Sequence, residues 1–194
     1  MSNRTLKLLL LPLLATISTV GCKVQFASTP SKDKTCNELD IEGEYEILEF
    51  PFQNKDAGVS KGKVKITKSD NMNFPYSITL NLGGSKKENF ICQTYRIGKL
   101  DLAFVKFKSN NAPTKNWFAF LIKVVKNKIE ATPVDIAFFF KNPKKLSRKH
   151  SSDDKKIVID SEAKKLDSFF ESHQKSSSLF DHNNQLILKR TDKK

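Results

Sequence analysis

Cysteine, glycine and tryptophan are scarce in this chain of 194 residues, at three, seven and one. Three cysteines exclude a small domain built on disulfides. Acidic residues are the minority charge, 21 against 34 Lys and Arg, which leaves a formal net charge of +13. No apolar run reaches the about 20 positions that a membrane-spanning helix requires. Patterns that carry chemistry are also thin. His150, His173 and His182 stand too far apart for a metal-ligand spacing and read as surface or packing residues. Asp153-Asp154 lies in a lysine-rich stretch, and Gly83-Gly84 lacks the remainder of a phosphate-binding loop. No cysteine has a catalytic setting, so no enzyme, metal or cofactor is expected. What is abundant is phenylalanine, 15 residues within a hydrophobic share of 38%. That share excludes a wholly disordered chain, and the length fits one domain.

The first residues read as an address. Arg4 and Lys7 precede an uncharged run at 8–20, and Gly21 and Cys22 follow. A basic start, a short apolar stretch and small residues define a secretory signal peptide, here 1–21. Thr19-Val20-Gly21-Cys22 resembles the lipobox of bacterial lipoproteins, with Thr19 where that family usually has Leu. The resemblance implies cleavage before Cys22, a lipid on its thiol and an acylated amino end. It implies a protein held on a membrane surface without a spanning segment, because two or more acyl chains anchor stably. Lys23 stands where the inner-membrane retention signal of enteric bacteria would have Asp, which points to the outer membrane.

Cleavage would leave 194 − 21 = 173 residues and remove two basic ones, for a charge of +13 − 2 = +11. With Cys22 lipidated, Cys36 and Cys92 remain. In an oxidising compartment an even pair reads as a disulfide. Two buried free thiols acting as small hydrophobes are the alternative.

Residues 22–38 then divide into the lipidated cysteine and a polar tether with Pro30 and no period, and residues 39–194 form the domain. Strand signals follow one another at 44–50, 63–68, 77–82, 89–97, 100–108, 117–126, 128–140 (interrupted near Pro133) and 185–190. Val64 and Ile66, then Ile78, Leu80 and Leu82, alternate with polar neighbours, and residues 117–126 read as covered on both faces. Gly98 marks a hairpin, and Gly83-Gly84 marks a turn. One helix is predicted over 161–174, with Ala163, Leu166, Phe169, Phe170 and His173 on one face and Asp160 or Ser161 as its cap. The basic stretch 141–156 has no period and reads as a mobile loop. Successive strands without intervening helices predict a mainly β chain, an antiparallel up-and-down barrel or a sandwich, with one C-terminal α-helix. A barrel removes exposed sheet edges.

Gly43-Glu44-Tyr45 resembles the G-x-W that opens the lipocalin barrel, with Tyr45 in place of Trp. Strand number and a late helix outside the barrel are similar too. The resemblance implies a cup-shaped, lipocalin-like β-barrel holding a small apolar molecule in its mouth. An interior filled by its own side chains is the alternative. Phe104, Phe107, Phe118, Phe120 and Phe138–Phe140 read first as core and second as pocket lining.

Export makes nucleic acid a less available partner, so the basic balance points elsewhere. Loop 141–156 suits an anionic envelope surface of lipid head groups or acidic polymers, with a plainly solvated face as the alternative. The expectation is a non-enzymatic, membrane-anchored envelope lipoprotein that binds a small apolar or amphipathic ligand. The alternative is a structural or adaptor protein with a filled barrel that contacts a protein or anionic polymer. Cys22→Ser should move the protein from the membrane fraction to the soluble one. Unchanged fractionation, with no lipid on the mature amino end, would refute the anchor.

Overall fold

The computed structural model describes residues 24–49, 62–69, 74–82, 87–108, 116–142, 146–150 and 157–191. The expected signal peptide at 1–21, Cys22, Gly83-Gly84 and Asp153-Asp154 lie outside the described residues. A short strand, β1 (Val24–Phe26), comes first. Seven strands follow in sequence: β2 (Gly43–Glu49), β3 (Lys63–Lys68), β4 (Tyr76–Asn81), β5 (Lys87–Ile97), β6 (Leu100–Phe107), β7 (Phe118–Val125) and β8 (Lys128–Pro133). Each pairs antiparallel with the next. The last strand, β11 (Leu186–Arg190), pairs with both β8 and β2 and closes the barrel.

Alternation sorts the side chains. Tyr45 and Ile47, Val64 and Ile66, Ile78 and Leu80, Ile129 and Ala131 point inward, while Lys63, Lys65 and Lys128 meet water. Strands β5, β6 and β7 differ because both faces are covered over their central parts, although β7 ends with Lys123, Val124 and Val125 exposed, where the sequence reading expected cover. Cys92, Ala103 and Ile122 belong to the interior, whereas Tyr95, Leu102, Phe104, Ala119 and Leu121 belong to a second core on the outside of the wall.

Three elements cover that outer face. A small sheet has the order β1, β10 (Ile157–Ile159), β9 (Arg148–His150), with β1 parallel to β10. Helices α1 (Ile136–Lys141) and α2 (Ala163–Ser172) add Phe138, Phe139, Leu166, Phe169 and Phe170. Phe26 is the centre. It is fully buried, with ring centroids 5.4 Å from Phe104, 6.4 Å from Phe139 and 6.0 Å from Phe170. Its backbone bonds that of Trp117 in both directions at 2.8 Å, which fastens the small sheet to the start of β7.

The barrel and the eight expected strands are present, and five further expectations need correction. The strand expected over 128–140 ends at Pro133, which has no N–H to continue a ladder. Asp135 then caps α1 by accepting from the Ala137 N–H at 2.8 Å, and the Phe run packs as a helix. The tether expected at 22–38 is structured from Val24 onward, because Val24 and Phe26 are buried and Asp167 accepts the Ser31 N–H at 3.0 Å. The basic loop 141–156 contributes β9, whose partner β10 has Ile157 and Ile159 buried. Helix α2 starts from Glu162 rather than Asp160 or Ser161, since Ser161 Oγ is engaged by the Ser147 N–H.

The fifth correction concerns Cys36 and Cys92, which are buried free thiols, not a disulfide. The geometry explains this. Thr35 bridges Tyr95, and the Cys36 N–H donates to the Thr94 carbonyl at 2.8 Å, so Cys36 stands opposite Thr94. Cys92 lies two residues further on, a diagonal neighbour at about 7–8 Å between Cα atoms. Disulfides rarely span Cα separations above roughly 7 Å without backbone movement.

Phe26→Ala should destabilise the protein by about 3–5 kcal/mol, because it empties the centre of a packed aromatic cluster. Guanidinium unfolding would measure it, and a loss below about 1 kcal/mol would show that the outer core does not depend on β1.

Candidate functional site

The hairpin turns at Gly98-Lys99 and Lys126-Asn127, together with the start of β2, define one end of the barrel. Gly98 takes a positive φ of +57°, which suits glycine there. Residues 36–42 cross this end and plug it with Leu39 and Ile41, both buried. Their carbonyl groups need partners, and two tyrosines supply them. Tyr76 Oη donates to the Leu39 carbonyl at 2.9 Å, and Tyr45 Oη donates to the Ile41 carbonyl at 2.9 Å. Arg190, from β11, lies over the Tyr45 ring at 5.4 Å. Its Nη2 donates to Tyr45 Oη at 2.8 Å and to the Glu42 carbonyl at 2.6 Å. The polar demand of the crossing segment is thus met at the base of the barrel.

Above this base the barrel encloses a cavity of about 170 Å³. Side chains from β3 to β8 and from β11 line it, and Ile41 rises into it from the base. Phe90, Phe107, Phe118 and Phe120 form its aromatic part, with Phe90 and Phe107 centroids 4.5 Å apart. Among the described residues, no lining side chain carries a charge, a hydroxyl or an amide. A dry apolar cavity of roughly 150 Å³ can hold a benzene-sized molecule.

The sequence-predicted residues divide between the two cores. Phe107, Phe118 and Phe120 line the cavity, while Phe104, Phe138 and Phe139 lie in the outer core and Phe140 is exposed. His173 is buried against Phe138 and Phe169, with Nδ1 2.6 Å from the Phe169 carbonyl. His182 sits in a turn and His150 in β9, on different elements from His173 at the end of α2. Among the described residues no three His, Cys, Asp or Glu form a metal-binding group.

One pattern escapes the initial reading. Gly58-Val59-Ser60-Lys61-Gly62 spells G-x-S-x-G. Such a serine acts as a nucleophile only on a turn from strand to helix. Here β3 begins directly after Gly62, so the context is wrong. The base contacts of Arg190 are also invisible from sequence, where it is the last basic residue of a short alternating strand.

Compared with protein-family models, curated proteins and solved structures, the chain matches none of them.

Burial sets the ionisation of three groups, Cys92 and Tyr76 in the inner core and Tyr95 in the outer one. It pushes the Cys92 thiol from 9.0 up to about 12. Burial also raises Tyr76 from 10.0 to about 12, with the nearby Cys92 and Cys36 adding to it. Tyr95 rises to about 12 for the same reason, against a hydrogen bond to Thr29. The unfolded chain releases these protons first, so between pH 9 and 12 it binds fewer than the folded chain. Their contribution to stability is complete below pH 9 and falls as pH rises through 12. Absorbance at 295 nm should show Tyr76 and Tyr95 ionising together with loss of the fold, and iodoacetamide at pH 8 should spare Cys92 until the protein is unfolded. Tyrosine ionisation near pH 10 in an intact barrel would contradict the assignment.

Proposed function

We propose that this chain is a bacterial envelope lipoprotein, anchored through Cys22, whose barrel binds a small apolar or amphipathic molecule without chemical conversion. The wholly apolar cavity carries the reading. A cavity whose described lining is hydrocarbon and one thiol does not hold water well, and a small apolar solute gains by entering it. A base locked by Arg190 and the two tyrosines keeps the interior shape preformed, which lowers the ordering cost of binding. The address at 1–21 and the lipobox-like residues support the location.

A second reading is a structural or adaptor protein with a filled barrel, presenting its basic surface to a protein or anionic polymer. The cavity volume favours it, since about 170 Å³ is below the roughly 300–1,000 Å³ of ordinary ligand pockets.

Native mass spectrometry of protein purified from its own host separates the two. A co-purifying small molecule is expected, and Ala131→Phe, which fills space from the cavity wall, should remove it while leaving far-ultraviolet dichroism unchanged. An empty spectrum for the unmodified protein, with no uptake of small apolar solutes, would leave the filled barrel.

A further inference from the structure

We infer that Glu88, on the inner face just beyond the apolar lining, offers a polar contact to whatever occupies the cavity, and that the occupant is a cationic amphiphile, a primary amine on a short apolar body. This rests on the ligand-binding reading above and names the ligand class for the same site.

The register fixes the direction of Glu88. Strands β4 and β5 pair without a break from Tyr76 with Cys92 to Asn81 with Lys87. Cys92 and Phe90 both line the cavity, so Glu88, two residues before Phe90, faces the same way. Its partner across the ladder, Leu80, lines the cavity too. Glu88 therefore sits on the inner face, at the end away from the base sealed by residues 36–42.

Its chemistry is unfinished there. Glu88 is half-buried, and its Oε2 is shielded from solvent with no hydrogen-bond partner among the described residues. The neighbouring described cations point elsewhere: Lys63 and Lys87 are exposed, and Lys106 lies over the Trp117 ring at 5.3 Å on the outer face. Asn89 faces outward, where its Oδ1 accepts from Thr79. Among the described lining residues only the Cys92 thiol can donate, and it is directed to the Gln93 carbonyl. An ionised carboxylate only accepts hydrogen bonds, and an unpaired one is costly to shield. A ligand that brings an ammonium group meets this oxygen with a charge-assisted bond, while its hydrocarbon occupies the cavity. A carboxylate ligand meets repulsion at the same point. The arrangement selects against fatty acids and for amines.

Titration calorimetry of the full chain with hexylamine, hexanol and hexanoate at pH 7 tests this. Hexanol measures the cavity alone. Hexylamine should bind roughly tenfold more tightly than hexanol, and hexanoate more weakly than either. Glu88→Gln should bind hexanol as before and lose the amine preference, and Glu88→Asp, a shorter acid, should keep part of it. If hexanol binds and hexylamine binds no better, Glu88 is not a ligand contact and the inference fails while the cavity reading stands. If none of the three binds, the cavity reading fails as well. The three ligands on the unmodified chain decide the matter even if a variant does not fold.

Discussion

A wall covered on both sides over its central part organises this molecule. Strands β5, β6 and β7 send alternate side chains into two separate hydrophobic cores. Ala103 and Phe104 are neighbours in sequence and serve opposite sides of the sheet. An isolated eight-stranded barrel would leave Tyr95, Leu102, Phe104 and Leu121 facing solvent. The small sheet and the two helices are therefore required by the barrel wall itself, because apolar area this contiguous is otherwise an association surface. The aromatic count in the sequence is explained by this double demand, since one core would not need it.

The base lock divides the labour between polar and apolar parts of the interior. A chain segment crossing the end of a barrel exposes carbonyl groups inside low-dielectric surroundings, and leaving them unpaired is expensive. Tyr45, Tyr76 and Arg190 satisfy those groups close to the rim. The space above is then free of polar obligations. Its lining is hydrocarbon and one protonated thiol, and that uniformity makes a lone carboxylate at the opposite end chemically conspicuous.

The barrel was legible because its signals are local. Strands such as Lys63–Lys68 have one wet face and one dry face, and period-two alternation announces them. Gly98 and Lys126 are set at tight turns that link neighbours in sequence. The outer layer was not legible for the opposite reason. Val24–Phe26 looks like part of a polar linker, and its burial depends on Ile157–Ile159, more than 130 residues later. Ile136–Lys141 carries three phenylalanines in a row, which suit a strand or a helix equally, and only Pro133 and the Asp135 cap decide. The cavity belongs to the same class. Phe107, Phe118 and Phe120 alternate as any core strand would, and nothing in that pattern tells a filled interior from one with space in it. Cysteine parity suggested a bond, but Cys36 and Cys92 are free buried thiols at a diagonal offset that disfavours one.

The parallel pair of β1 and β10 also sets an order of events. Parallel neighbours so distant in sequence cannot form as a hairpin, and contacts of long separation come late in folding. The meander from β2 to β8 can assemble from adjacent hairpins as the chain becomes available. Its outer wall then stays uncovered until residues 157–159 arrive to hold Val24–Phe26 in place. A partly delivered chain is thus a nearly complete barrel with one oily side, the form in which this protein is most exposed to misassembly and to proteases.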